Sequence, residues 1–114
     1  MRDFIPSGNI PFSIKNKVGK NLYQITNHPI CIIKNRIYDY FKNSREVIEG
    51  LSPYVDVQSN FDDLLIPRDH PSRSKSDTFY YDDNTVLRTH TSAHQTQFMR
   101  EGKNNFLITG DVYR

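Results

Sequence analysis

Leu87-Arg88-Thr89-His90-Thr91-Ser92-Ala93-His94-Gln95 decides how this chain is read, together with Gly110-Asp111-Val112-Tyr113-Arg114. The first run packs hydroxyls, imidazoles, a guanidinium and an amide into nine residues, a density that solvated loops seldom need. Thr85 to His90 has strand character, and Thr91 or Ser92 is a candidate cap for a helix from about Ala93 to Glu101, closed by Gly102. Ser92 and Gln95, three apart on the first turn of that helix, then face one pocket. Thr89, His90, Thr91, Ser92 and Gln95 offer neutral donors and acceptors that can orient an ammonium and a carboxylate. The helix N-terminus favours an anion. Arg114 follows Tyr113 at the end of an apolar strand. It is either an exposed terminal arginine or a guanidinium aimed at a phosphate, and composition leaves both open.

Working outward, Asn27-His28-Pro29 reads as a helix start, with Asn27 as N-cap and Pro29 in the first turn. Ile30, Ile33, Ile37 and Phe41 follow at helical spacing, and the helix should end by Asn43 or Ser44, with a further turn through Glu46 and Val47 conceivable. Gly50 breaks the chain, and Pro53 to Gln58 alternates as a half-buried strand. Asn60 to Leu65 reads as one helical turn seating Phe61 and Leu64, and 67–77 as a loop stiffened by Pro67 and Pro71. Thr78–Tyr81 and Thr85–His90 form a hairpin candidate across Asp82-Asp83-Asn84. The last strand runs from Phe106 to Thr109 and past Gly110 into Val112-Tyr113. Helices and antiparallel strands in separate blocks indicate an α+β domain over 27–114, preceded by an irregular arm over 1–26.

Two familiar chemistries fit poorly. His90 and His94 are four apart, but one ends a strand and the other begins a helix, no cysteine is near, and no zinc-protease Glu lies between them. Ser92 and His94 are too close in sequence to converge as nucleophile and base, and no glycine-flanked elbow surrounds the serine. No metal site is therefore assigned. Pro67-Arg68-Asp69-His70-Pro71-Ser72-Arg73 is read as a rigid surface loop in which Arg73 can pair with a carboxylate or reach a phosphate.

The 114 residues suffice for one modest domain, and the 36% apolar content is low for a self-sufficient core. Fifteen basic and 13 acidic residues give a net charge of +2 without a dense basic block, so no non-specific phosphate-backbone binder is indicated. Cys31, among isoleucines, reads as a buried, inert thiol. No apolar run is long enough to cross a bilayer. The first twenty residues are faintly basic but lack the amphipathic character of an organellar presequence.

In these runs the chain resembles the single-chain organellar phenylalanyl-tRNA synthetases, a class II aminoacyl-tRNA synthetase family. The matching pieces come in the family's order: His28-Pro29, Asn60-Phe61-Asp62-Asp63-Leu64-Leu65-Ile66-Pro67, Asp69-His70-Pro71-Ser72-Arg73, Asp77-Thr78-Phe79-Tyr80, Leu87 to Gln95, and Gly110 to Arg114. The Ser-Ala-His-Gln form of residues 92–95 favours the organellar branch over the bacterial α subunit.

The resemblance implies part of a class II catalytic domain, an antiparallel sheet flanked by helices. It implies ATP-dependent activation of phenylalanine and transfer to tRNA(Phe), with magnesium accompanying ATP, in a mitochondrial matrix setting and a full-length monomer. Ser92, Ala93, His94 and Gln95 would lie in the amino-acid site, with His90 close to the substrate amino group. Arg114 matches the second-signature arginine, a catalytic and ATP-binding residue on the α-phosphate. Asp69 to Arg73 looks like a structural, tRNA-proximal loop. The chain is expected to be an N-terminal piece truncated at that signature and inactive alone. The alternative is a short non-catalytic paralogue acting as a binding or regulatory module.

Overall fold

The computed structural model describes residues 8–41 and 44–114. The first seven residues of the expected arm, and Asn43 at the expected end of the first long helix, lie outside them. Among the described residues there are four α-helical segments: α1 (Phe12–Lys15), α2 (Pro29–Phe41), α3 (Val57–Asn60) and α4 (Gln95–Arg100). Four short strands accompany them: β1 (Glu46–Ile48), β2 (Tyr54–Asp56), β3 (Thr85–Leu87) and β4 (Phe106–Ile108). The architecture is α+β. β2 and β3 pair antiparallel, with Val55 opposite Val86, whereas β1 and β4 pair parallel, with Val47 opposite Leu107. The expectation of antiparallel strands thus holds for the first pair and is corrected for the second.

The residues around α2 show how local chemistry sets its start. Asn27 is not the cap: its φ is 69°, in the left-handed region that Asn tolerates better than most residues. His28 does the capping, accepting the backbone N–H of Ile30 on Nδ1 at 3.1 Å, and Pro29 has no N–H to satisfy. The apolar spacing does not mark the packed face. Ile30, Ile33 and Ile37 are exposed, while Cys31, Lys34, Tyr38 and Phe41 are half-buried. Cys31 is therefore less enclosed than the sequence implies, and Glu46 and Val47 belong to β1 rather than to a further helical turn.

Polar caps also shorten the strands. Asp56 accepts the N–H of Ser59 on Oδ1 at 2.7 Å, which turns the chain into α3 and ends the strand predicted through Gln58. Asp82 accepts the N–H groups of Asn84 and Thr85, both at 2.8 Å, closing the predicted turn. Across it, Leu87 donates to the carbonyl of Phe79 at 2.9 Å and Tyr80 bridges Val86. The expected helix over 93–101 is a tight 3₁₀ turn, Thr91–His94, followed by α4. Neither Thr91 nor Ser92 caps it, and Gly102 closes the segment at φ 92°. β4 ends at Ile108; beyond it, Tyr113 donates to the carbonyl of Arg88, the residue that follows β3, at 3.1 Å.

Residues 8–26 are more ordered than an irregular arm. Beyond α1, a 3₁₀ turn spans Leu22–Gln24 and buries Tyr23 to 1% exposure. The carboxylate of Asp111 accepts the N–H of Leu22 at 3.1 and 3.2 Å, and the hydroxyl of Tyr113 accepts that of Gly19 at 3.3 Å. The main apolar cluster, Val55, Val86 and Ala93 with Val57 and Tyr80, sits under the β2–β3 pair. The helical turn over 91–94 is laid directly on this core.

Candidate active site

β3 feeds straight into the polar run. Its continuation, Arg88 and Thr89, is buried, and His90 emerges half-buried at the start of the 3₁₀ turn. Asn60, at the end of α3, fixes this point: its Nδ2 donates to Thr89 Oγ1 at 3.1 Å and its Oδ1 accepts the Thr89 N–H at 3.3 Å. A polar strand end is thereby satisfied without water.

Two clefts open along the run. One, of about 470 Å³, is lined by Thr91, Ser92 and Gln95 together with Met99, Phe106 and Ile108. Here the expectation that Ser92 and Gln95 share a pocket is met, because the side chains left out of capping line the cleft instead. The other, of about 420 Å³, holds His90 and Arg114 with Thr89, Thr78, Phe61 and Ser72. Arg114 donates from Nε and Nη2 to the carbonyl of Thr89, at 3.2 and 3.0 Å. The guanidinium is thus held against the backbone of the run read as its partner.

Ala93 and His94 point the other way. Both are buried, Ala93 in the apolar cluster and His94 against Arg88. The Nε2 lone pair of His94 is occupied by Arg88 Nη1 at 3.2 Å, so it cannot also bind a metal. Among the described residues no group of three or more His, Cys, Asp and Glu gathers at a common point.

The titration behaviour follows from burial. Removal from water lowers the pKa of His94, and the nearby charge of Arg88 lowers it further. Burial also lowers that of His90; its own backbone and that of Asn60 oppose the shift, and Arg114 adds to it. Both shifts favour the neutral ring. His90 Nδ1 is buried with no hydrogen-bond partner among the described residues.

Sequence reading passed over Arg88 and Asn60. Arg88 is 1% exposed and organises four neighbours, yet nothing in a linear pattern distinguishes it from a strand-end surface charge. Arg73, by contrast, does pair with a carboxylate, Asp62, at 2.6 Å, and lies over the Phe61 ring, stapling the 62–73 loop.

Residues 11–114 match the family model for the tRNA synthetases class II core domain (F). The chain is 52% identical over 118 residues to the chloroplastic/mitochondrial phenylalanine–tRNA ligase of Arabidopsis thaliana, covering 100% of this chain and 28% of that protein. It is 47% identical to the mitochondrial phenylalanine–tRNA ligase of Dictyostelium discoideum, covering 95% and 25%. Against the mitochondrial enzyme of Rattus norvegicus it is 44% identical, covering 93% and 24%. The chain spans about a quarter of the length of the curated relatives it matches. With that match over most of its length, and with the α+β arrangement of these residues, the chain belongs to the class II tRNA synthetase core-domain family.

Proposed function

We propose that these residues form the phenylalanine- and ATP-facing part of an organellar phenylalanine–tRNA ligase. The observation that carries this reading is the 3.0 Å contact between Arg114 and the carbonyl of Thr89, which sets the second-signature arginine beside the polar run 89–95. In the first step a carboxylate oxygen of phenylalanine attacks the α-phosphorus of ATP, forming the adenylate and releasing pyrophosphate. In the second, a hydroxyl of the terminal ribose of tRNA(Phe) takes the acyl group and AMP leaves. Neither step needs a covalent protein intermediate, so positioning and charge stabilisation dominate.

Within that scheme neutral His90 keeps a lone pair for the substrate ammonium. Ser92 and Gln95 orient the zwitterion from their cleft, and Arg114 neutralises charge developing on the α-phosphate. Ala93 and His94 act from beneath, by shaping the floor. Magnesium would arrive on the ATP phosphates; the described residues assemble no carboxylate cluster to hold it. The mitochondrial matrix and a monomeric full-length enzyme complete the proposal.

The test is a chimera in which residues 1–114 replace the matching segment of the Arabidopsis relative. Phenylalanine-dependent ATP–pyrophosphate exchange and charging of tRNA(Phe) by the chimera are expected, with Arg114→Ala lowering kcat on the order of 100-fold or more. The 114-residue chain alone is expected to show no exchange. A folded chimera without exchange would sink the reading in favour of a non-catalytic binding module.

A further inference from the structure

We infer that Arg88 is a positioning residue that sets the spacing between the 89–95 run and the 110–114 segment and fixes the ring of His94 from below. The inference rests on the proposed function for its kinetic consequence, but not for its geometry. Nε of Arg88 donates to the carbonyl of Asp111 at 2.7 Å. Nη1 donates to the carbonyls of Ser52 at 3.0 Å and Leu51 at 3.3 Å, and meets His94 Nε2 at 3.2 Å. One planar fork therefore ties the β1–β2 connection, the segment before Arg114 and the 3₁₀ turn to the end of β3. A lysine nitrogen at the same place could not reach partners in these separate directions.

Gly110 belongs to the same device. A Cβ built on it would lie 2.4 Å from Arg88 Nη2 and 2.7 Å from Cζ, so the guanidinium lies against this backbone and would have to shift to admit a side chain. The following residue, Asp111, supplies its carbonyl to Arg88 and its carboxylate to Leu22. Four residues on from Gly110, the chain delivers Arg114 to Thr89.

Stability is a poor account of this arrangement. Among the described residues no carboxylate forms a salt bridge with Arg88, and a buried charge held by carbonyls and one imidazole is costly where an apolar side chain would serve packing as well. What the guanidinium adds is direction. Because it can only donate, a hydrogen bond between the two makes His94 Nε2 the acceptor, which favours the neutral ring with its proton on Nδ1.

The decisive measurement is made on the unaltered sequence, with one variant used only for assignment. Side-chain ¹⁵N–¹H correlation spectra of the 114-residue chain at pH 7, with His94 assigned through His94→Gln, are expected to report the neutral Nδ1–H tautomer. An Nε2–H tautomer would overturn the inference. Arg88→Lys keeps the charge but loses the fork, and Gly110→Ala displaces the fork without changing its chemistry. Both are expected to shift His94 toward Nε2–H. In the chimera both should raise KM for phenylalanine and lower kcat, together costing on the order of 100-fold in kcat/KM. A fall in kcat at unchanged KM, with the tautomer retained, would mean lost folded protein only and would also overturn it. Should the variants fail to fold, the wild-type tautomer still decides. An unmodified chimera that folds without exchanging would remove the proposed function and leave the imidazole result standing.

Discussion

Asn60 and Thr89 exchange two hydrogen bonds in the buried interior, side chain to side chain at 3.1 Å and backbone N–H to amide oxygen at 3.3 Å. Through them the end of α3 fixes the residue that precedes His90 and that also receives Arg114. Asn60→Ala would leave a buried N–H and a buried hydroxyl without partners. A loss of about 2–4 kcal/mol is expected, read from urea denaturation at pH 7, against less than about 1.5 kcal/mol for the conservative Thr89→Ser.

The buried imidazole of His94 and the half-buried one of His90 make stability depend on pH. Burial first, and Arg88 second, lowers the pKa of His94; burial also lowers that of His90. Unfolded histidine takes up its proton near pH 6.5 or so, before the folded rings do. The unfolded chain therefore binds more protons just below that pH, and stability falls as the solution is acidified through this window. The urea midpoint should be lower at pH 5 than at pH 7.5, and His94→Gln, which keeps an acceptor for Arg88, should flatten the dependence. An unchanged slope in that variant would show that His94 is not held neutral by the fold.

Glu49 anchors a second polar cluster, between α2 and the end of β4. Tyr38 donates to its Oε2 at 2.8 Å, Gln24 donates to Oε1 at 3.1 Å, and Lys34 lies 3.7 Å away. Burial would raise its pKa, but the hydrogen bonds from Gln24 and Tyr38 and the charge of Lys34 outweigh it, so the net shift is downward. A lowered carboxylate pKa contributes stability above the unfolded value and loses it as pH falls through the folded one. Glu49→Gln should differ most from the parent near neutrality, and the two should converge in acid. The phenol of Tyr38 is pushed up to about 12, chiefly by burial, with Glu49 adding to the shift and Thr109 opposing it. Its ultraviolet titration should therefore lag that of the exposed tyrosines.

The faces of α2 give the clearest contrast between pattern and packing. Ile33 and Ile37 are 59% and 47% exposed, so Ile33→Lys and Ile37→Lys should each change stability by no more than about 0.5 kcal/mol. Tyr38→Phe, which removes the hydroxyl bridging Glu49 and Thr109, should cost about 1 kcal/mol despite its smaller chemical change. Thermal or urea unfolding of the three variants checks both halves.

The elements set by nearby residues were legible in advance. Pro29 and Gly102 bracket helical segments, Asp82 builds its turn, and the α+β order follows from local propensity, because each depends on contacts only a few residues apart. Boundaries were less so. The side chain of Asp56 turns a predicted strand into α3, and His28 takes the capping role that composition gave to Asn27, whose backbone is left-handed. In both cases a local hydrogen bond outcompeted the apolar pattern. The packed face of α2 was misread for a different reason: isoleucines at helical spacing say which face could be buried, but not what lies opposite.

What the sequence by itself determined is the family, the α+β class and the two polar runs, since ordered motifs and local propensity are properties of the chain read in a line. Only the tertiary structure decided which of those side chains face outward. It put Ser92 and Gln95 on one cleft and His90 with Arg114 on the other, and turned Ala93 and His94 into the interior. It also paired Arg88 with Gly110 and Asn60 with Thr89, partners 22 and 29 positions apart. Such pairings depend on how β3, the 3₁₀ turn and the 110–114 segment pack together. A buried guanidinium has to find every one of its acceptors at once, and that condition exists only in three dimensions.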